Sequence, residues 1–434
     1  MSPRARFVAL FTADVVSVLG TRVSMLAIPW LVLVTTGSPA KMGLVAGAEM
    51  LPYVLSGVVA APLADRFGLR RTTIVTDAGS ALAMAGIALA PQLGFGALLV
   101  LVAVAGALRG LGDRVKHVLL RPLAEAAGVQ VLRVTTAYEG FSRTAMLIGG
   151  SIGGLLIYWV GAAGAIWLDA VTFAVCAAIV AAVVPAADAA AGPPDEADRE
   201  PYLVALRGGF RALWADPLLP SMIAMLFVLN LFNQAMVAVF IPLWVADTTH
   251  TPAALGLLFG TFAAGAVLGS IAFTVLAPKL KMYQVFMLGA AFAGAPRLLI
   301  LGVSQDLVVV CTVAFLSGLA MAAVNPVIGA MLYERIPPKV QTRAFGVCTA
   351  ITFTGVPIGG VLGGLAVAGF GLTPAILVGG ALCVAATLLV WLRSRSVAGT
   401  VPTGQDTEQE AGQDDQGNQH GSRSGKPSLR SSGN

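Results

Sequence analysis

Several charged side chains of this sequence lie inside long apolar stretches, where a charge is costly and usually serves a function. Among them are the carboxyl groups of Asp14, Asp77 and Glu139. A carboxyl group that is shielded from water stays protonated up to a higher pH than an exposed one does. We therefore predict these three residues as candidates for binding and releasing a coupling proton. Asp169, near the outer end of its stretch, is interpreted as structural.

Arg22 lies near the middle of the first apolar stretch, eight residues from Asp14. On a helix that separation is about 12 Å, too far for a direct ion pair. Two interpretations remain open. Arg22 contacts an anion or substrate in a cavity, or it donates structural hydrogen bonds to carbonyl groups of a neighbouring helix.

Four charged residues fall toward the same end of their stretches, namely Asp77, Arg109, Glu139 and Arg143. Glu139 and Arg143 are four residues apart and can pair on one helix face. These charges are interpreted as an ion-pair network at an inner gate. The alternative is that Asp77 or Glu139 carries the proton.

The second half of the chain carries amides where the first half carries charges. Asn230, Asn233 and Gln234 share one helix face, and Arg297 is the exception among otherwise uncharged stretches. The amides are predicted to form a polar wall of a substrate cavity together with Arg22. Hydrogen bonding between helices is the alternative.

These residues need an apolar scaffold, and the composition predicts an all-α membrane protein. Of 434 residues, 57% are hydrophobic and 11% are charged, with a mean hydropathy of +0.84. A soluble domain has about 25% charged residues. A membrane-spanning helix needs about 20 apolar residues, and twelve stretches qualify: 7–34, 42–63, 72–91, 95–114, 135–159, 163–184, 219–246, 252–277, 284–303, 307–332, 345–369 and 373–393. Asn325-Pro326 predicts a kink in the tenth.

The basic residues between these stretches predict the orientation, because short cytoplasmic loops are rich in Lys and Arg. Arg66, Lys116, Arg121, Lys279 and Lys339 lie on one side with both chain ends, and Lys41 lies on the other. Both termini are thus predicted to be cytoplasmic. The net charge of +5 follows this loop pattern and forms no stripe with interleaved aromatic residues, so no nucleic acid partner is expected.

Four segments are predicted. Residues 1–184 and 219–395 each form a bundle of six helices, and 185–218 form a cytoplasmic linker with an amphipathic helix at 202–214. Residues 396–434 form a polar tail predicted to be disordered. The cysteines are separate and buried in apolar runs, and no nucleophile–base or metal-ligand spacing involves the three histidines. No metal, cofactor or enzymatic activity is expected.

A glycine signature occurs in both bundles, 210 residues apart. Residues 148–155 read IGGSIGGL and residues 358–365 read IGGVLGGL. The spacing of small residues permits close helix packing. The repetition of the signature indicates duplicated halves, an arrangement used for alternating access. The glycines predicted to pack helices, and to act as a hinge if the halves slide, are Gly149, Gly150, Gly153, Gly154, Gly359, Gly360, Gly363 and Gly364.

The loop after the second stretch resembles a signature of the major facilitator superfamily. Residues 61–71 read APLADRFGLRR, with Ala61 and Leu69 departing from the family pattern and five residues matching it, namely Asp65, Arg66, Gly68, Arg70 and Arg71. The resemblance implies a two-bundle fold in which this loop forms a cytoplasmic gate, with Arg109 and Arg143 nearby. It also implies that the Asp lies near a helix terminus of the other half.

Further segments are similar to the twelve-helix, macrolide-efflux-like branch of the drug:proton antiporters. They are residues 17–32, 121–128 and 167–173, together with the glycines of 149–154, where Gly150 replaces a usual proline. The resemblance implies proton-coupled efflux of a hydrophobic small molecule across a bacterial inner membrane. We expect a monomer whose partners are the substrate, protons and the lipid bilayer.

Two alternatives to drug efflux remain. Export of a siderophore or another anionic metabolite would use Arg22 as an essential contact. A membrane sensor that does not transport is the second alternative, although such proteins usually carry an additional folded domain.

Overall fold

The computed structural model describes residues 2–126, 128, 131–184, 202–276 and 282–398, and the elements in these ranges are helices. Apolar stretches fold as helices because a helix satisfies its own backbone hydrogen bonds, which lipid cannot do. In chain order the helices are α1 (Pro3–Thr36), α2 (Pro39–Phe67), α3 (Leu69–Ala88), α4 (Ala90–Leu93), α5 (Phe95–Ala126), α6 (Val131–Val183), α7 (Tyr202–Ala215), α8 (Leu219–Ala235), a π-helical turn (Met236–Phe240), α9 (Ile241–Thr248), α10 (Ala253–Leu276), α11 (Met282–Val303), α12 (Leu307–Met321), α13 (Val324–Arg335), a 3₁₀ turn (Pro338–Val340), α14 (Gln341–Phe370) and α15 (Leu372–Ala398).

Nine candidate membrane spans occur within the described residues, judged by helix length and apolar composition. One of them, Ile148–Val183, contains a break at Gly161, where φ is 74°. Helices α2 and α3, with 29 and 20 residues, are not among the nine. The kink predicted at Asn325-Pro326 corresponds to a break just before these residues, because α12 ends at Met321 and α13 begins at Val324.

Gly161 and Gly371 occupy equivalent turns in the two halves. Their backbone angles are φ 74°, ψ 168° and φ 85°, ψ 168°. Positive φ is strained for residues with a Cβ atom, which explains a glycine at both positions. The shared conformation extends the 210-residue sequence repeat to the turns that follow the glycine signatures.

The first glycine of each Gly-Gly pair packs a helix within its own half. In the N-terminal half, Gly149 lies against Arg22 and Gly153 lies against Leu26, so α6 runs parallel to α1. In the C-terminal half, α14 runs parallel to α8 with the same four-residue register, through the contacts Gly359–Leu231 and Gly363–Ala235.

The second glycine of each pair packs against the opposite half. Gly150 and Gly154 of α6 meet α10, where Gly154 lies against Gly256. Gly360 and Gly364 of α14 meet α2 in the same way. A Cβ atom added to Gly364 would lie 2.6 Å from the carbonyl oxygen of Pro39, and one added to Gly360 would lie 2.9 Å from the Cβ atom of Ala46, so the two helices pack in close contact.

Among the described residues, these contacts between the halves lie toward one end of the bundle. Gly43 and Ala46 follow the start of α2, and Gly256 follows the start of α10, while their partners lie toward the end of α14 and before the break in α6. The α1–α2 turn at Gly37 belongs to this end, called here the Gly37 end. The opposite end, where α1 starts, is called the Ser2 end.

The predicted amphipathic segment is the helix α7, which packs on α14. Leu213 is buried, and Gly209 lies against the backbone of Arg343. The rings of Phe210 and Trp214 stack on the exposed side, with centroids 4.0 Å apart. Residues 185–201 and 399–434, which include most of the predicted linker and tail, lie outside the described residues.

One predicted boundary is wrong. The fourth apolar stretch was expected to end at residue 114, with Lys116 in a cytoplasmic loop, but α5 continues to Ala126. Lys116 is 3% exposed. Because the helix is continuous, this lysine lies inside the N-terminal bundle and not on the surface of the protein.

Candidate functional site

Lys116 lies between two buried aspartates from different helices. Its Nζ atom is 2.9 Å from Oδ1 of Asp77 on α3 and 3.3 Å from Oδ1 of Asp14 on α1. The three side chains are 2–4% exposed. The other carboxyl oxygen of each aspartate, Oδ2, is buried without a hydrogen-bond partner among the described residues. This group, Lys116 with Asp14 and Asp77, is called the lysine cluster.

A second cluster lies one to two helical turns away on the same face of α5. Arg109 forms a buried ion pair with Glu49 of α2, with 2.7 Å between Nη1 and Oε1. The guanidinium group also lies over the ring of Tyr53, 5.0 Å from its centroid. The Tyr53 hydroxyl donates to Oδ2 of Asp113 at 3.2 Å. Arg109, Glu49, Tyr53 and Asp113 form the arginine cluster.

Glycines in α5 bring the charged groups of α2 and α3 within reach. A Cβ atom at Gly106 would overlap the carbonyl group of Glu49, and one at Gly110 would overlap that of Tyr53. On the neighbouring face, a Cβ at Gly112 would lie 3.0 Å from the Thr76 hydroxyl, next to Asp77. Because only a hydrogen atom separates the backbones, Arg109 and Lys116 reach their partners with little exposure to lipid.

The two clusters contain more carboxyl groups than cations. Asp14, Glu49, Asp77 and Asp113 face the two cations Arg109 and Lys116. An unbalanced buried charge is expensive, and a carboxyl group relieves the cost by binding a proton. The arrangement therefore leaves carboxyl groups that have no cationic partner of their own.

Glu49, Tyr53 and Asp113 were not among the candidates predicted from the sequence. Arg109, Asp113 and Lys116 recur at positions i, i+4 and i+7, a spacing that places them on one helix face. That spacing was the signal available in the sequence. Because Lys116 was assigned to a loop, the shared helix face was not recognised. The partners on α2 become visible only when the packing of α2 on α5 is known.

The predicted gate loop is described in part. Gly68 has φ 82° and sits before the first residue of α3, which explains its glycine, since positive φ favours this residue. Arg70 donates to the carbonyl oxygen of Ala181 at 2.6 Å, a contact within the N-terminal half. Arg66 and Arg71 are exposed. The side chains of Asp65, Glu139 and Arg143 lie outside what the structure describes, so their predicted roles stay predictions.

Arg109 was predicted from the sequence to form part of an inner gate. Its ion pair with Glu49 lies within the N-terminal half and does not join the two halves. Arg22 is half-buried where α1 packs on Gly149 of α6, and its Nη1 atom lies 3.5 Å from the sulfur of Met25. Asp169 is 1% exposed and accepts a hydrogen bond from the Thr172 hydroxyl at 3.1 Å.

The three residues of the predicted amide face of α8 differ in their surroundings. The Asn230 side chain donates to the carbonyl oxygen of Thr352 on α14 at 3.0 Å, which is the interhelical bond named as the alternative. Asn233 is exposed and Gln234 is half-buried. The structure therefore leaves Asn233 and Gln234 as candidates for a cavity wall and ties Asn230 to α14.

Paired helical halves with membrane-spanning helices and a buried charge network define a multi-pass membrane transporter rather than an enzyme. Residues 10–233 and 223–428 both match the sequence profile of the Major Facilitator Superfamily. The chain belongs to this family.

Relatives and solved structures agree with that assignment. The chain is 29% identical over 366 residues to the multidrug efflux pump Tap of Mycobacterium tuberculosis, covering 82% of this chain and 86% of that one. It is 28% identical over 386 residues to the enterobactin exporter EntS of Escherichia coli, covering 83% and 85%. The crystal structure of the nucleoside transporter NupG shares the fold at a TM-score of 0.75 with 10% identity, covering 89% of this chain and 98% of NupG.

Proposed function

We propose that this protein is a proton-coupled exporter of hydrophobic small molecules, such as antibiotics or secondary metabolites, that works by alternating access. The observation that carries the proposal is the lysine cluster, in which two buried aspartates share one ammonium group. Similarity to multidrug efflux pumps supports the substrate class and the direction of transport.

The lysine cluster is suited to carrying the proton because Lys116 can satisfy only one full negative charge. When both aspartates are ionised, the cluster carries a net negative charge in a dry environment and attracts a proton. That proton binds Oδ2 of Asp14 or Asp77, the oxygens without hydrogen-bond partners among the described residues. Lys116 then pairs with the aspartate that remains ionised.

The topology behind this mechanism consists of twelve spans with both termini in the cytoplasm of a bacterial inner membrane. Nine candidate spans among the described residues support it, together with α2, α3 and the break of α6 into two segments. With this orientation the Gly37 end is periplasmic. The contacts of α2 with α14 and of α6 with α10 then close the periplasmic side, an inward-facing state.

Rocking of one half against the other would open the Gly37 end and close the Ser2 end. The second glycines of the repeat would separate from the opposite half in this step, while the first glycines keep the helices of each half together. In the outward-facing state the lysine cluster gains a proton. In the inward-facing state it loses the proton to the cytoplasm as substrate binds.

Vesicles reconstituted with the purified protein test the proposal. With an imposed pH gradient, a fluorescent hydrophobic dye such as ethidium should accumulate against its own gradient, and collapse of the pH gradient should stop the accumulation. Accumulation that persists without any pH gradient or membrane potential would overturn proton coupling. A broad panel of hydrophobic antibiotics and dyes that neither move nor release protons would overturn the substrate class.

Export of an anionic metabolite such as a siderophore is the second candidate, favoured by the similarity to the enterobactin exporter and by the position of Arg22 inside α1. It predicts that Arg22→Gln abolishes transport of anionic chelators and that Arg22→Lys keeps part of it. Equal transport of neutral and anionic compounds by Arg22→Gln would exclude this candidate.

A further inference from the structure

Arg297 is a buried cation of the C-terminal half that has no acidic neighbour among the described residues. It belongs to α11 and is 5% exposed. Its guanidinium group lies over the ring of Phe262 on α10, with the guanidinium carbon 4.4 Å from the ring centroid. Within the described chain, no ion pair or hydrogen bond of its guanidinium group is present.

The aromatic ring compensates only part of the cost of burying this charge. A desolvated cation–π contact contributes about 2 kcal/mol, whereas the effective penalty for an unpaired buried ion is several kcal/mol. The buried carboxyl groups of the described chain are in the N-terminal half and are engaged there by Arg109, Lys116 or Thr172. A negative charge for Arg297 must therefore come from outside the described chain.

A small cleft lies beside this guanidinium group. Its other walls are apolar and come from four helices, namely Ile241, Leu258, Phe259, Leu301, Val310 and Ala314. The cavity volume is about 10 Å³, room for one occupant close to the size of a water molecule. A water molecule needs two to four polar partners, and these walls offer a single guanidinium group that only donates.

We infer that this cleft is a binding site for one small monovalent anion of the size of chloride, held by Arg297. The anion accepts hydrogen bonds from the guanidinium group and neutralises its charge, while the apolar walls offer a water molecule no further polar partner. Tetrahedral anions and carboxylates with a hydrocarbon chain exceed the available volume. The site is independent of the proposed proton coupling, because its groups belong to the other half.

The position of the cleft links the anion to the contact between the halves. Phe259 forms one wall and also lies against Gly150 of α6. An occupied cleft therefore supports the side of α10 that closes the Gly37 end.

Thermal unfolding of the purified protein in detergent tests the site. Sodium gluconate is replaced stepwise by sodium chloride at constant ionic strength. Binding to the folded state alone should raise Tm saturably, by about 2–4 °C at a chloride concentration ten times Kd. Bromide should act similarly, and sulfate should not.

Arg297→Met should remove the chloride-dependent shift, while the exposed-site control Arg211→Gln should keep it. A wild-type Tm that does not respond to chloride, an equal response to sulfate, or an unchanged shift in Arg297→Met would each overturn the proposal.

The location can be tested without any substitution, which covers the case in which Arg297→Met fails to fold. Crystals of the wild-type protein grown at a bromide concentration that saturates the Tm response should show anomalous scattering beside Arg297. An empty cleft under these conditions would also overturn the proposal.

Discussion

The two halves of the protein share their glycine packing and differ in their buried charge. Both use the first glycine of each pair within the half and the second glycine against the other half. The N-terminal half holds the lysine and arginine clusters, whereas the described C-terminal half buries one charged side chain, that of Arg297. A duplicated scaffold has thus kept its contacts while its chemistry became concentrated on one side.

This difference has a physical consequence for coupling. Movement between the halves depends on features that both share, because the interfaces α2–α14 and α6–α10 are built from equivalent glycines. The proposed proton binding depends on groups present in only one half. Variants should therefore separate the two properties, since charge variants alter coupling and glycine variants alter the balance between states.

The largest expected effect concerns the ion pair in the arginine cluster. Arg109→Met leaves the Glu49 carboxylate buried without its partner, which should lower the free energy of unfolding by about 3–5 kcal/mol. The double variant Arg109→Met, Glu49→Leu replaces the pair by apolar groups and should recover most of that loss without recovering proton-driven transport. Denaturation in detergent and vesicle transport measure the two properties. Recovery of both would show that the pair is only structural.

The lysine cluster should control coupling more than stability. Asp77→Asn removes the shorter of the two contacts of Lys116 but leaves Asp14 to pair with it. We expect proton-driven accumulation to fall by about 5–150-fold, the range of a coupling free energy of 1–3 kcal/mol, while substrate exchange without a proton gradient continues.

The matched comparison for this prediction is Asn233→Leu on α8, which changes a polar group of the other half. It should leave the dependence on the proton gradient intact. Full retention of proton-driven accumulation by both Asp77→Asn and Asp14→Asn would remove the lysine cluster from the mechanism.

Glycine variants should shift the balance between states by smaller amounts. Gly360→Ala inserts a methyl group against Ala46 and should disfavour the closed Gly37 end by about 1–3 kcal/mol. Spin labels at Ser38 and Thr249, which flank this end in the two halves, should report longer distances. The control Gly369→Ala has open space around its position and should leave the distances unchanged. Identical distance distributions for all three proteins would contradict the assigned interface.

The smallest expected effect is that of Asn230→Ala. It removes the hydrogen bond to the Thr352 carbonyl group and should lower the free energy of unfolding by about 0.5–1.5 kcal/mol. Proton coupling should not change, because the bond lies within the C-terminal half. A loss of coupling as large as that of Asp77→Asn would show that the halves are not divided as described.

Helix positions and the paired glycines could be predicted from the sequence, since hydropathy and spacing determine them locally. The length of α5 could not, because Asp113 and Arg114 end the apolar stretch while tertiary packing continues the helix to Ala126. Lys116 was therefore placed in a loop. The difference between the first and second glycines of each pair was also beyond local prediction, because both have the same neighbours along the chain.

Of the candidate site, Asp14 and Asp77 were singled out from the sequence as carboxyl groups in apolar stretches, and the structure brings both to Lys116. The role of either as a proton carrier stays a prediction. Glu49 was missed because its partner Arg109 is sixty residues away along the chain. Only the close approach of α2 and α5 at Gly106 brings the two together.

Proton release on substrate binding tests the central claim most directly. The purified wild-type protein in a weakly buffered solution should release protons when a transported compound is added. The charge-depleted variant Asp14→Asn, Asp77→Asn, Lys116→Met should bind the same compound without releasing protons, and Arg297→Met should release them as the wild type does. Unchanged proton release from the charge-depleted variant would contradict the assignment of coupling to the lysine cluster.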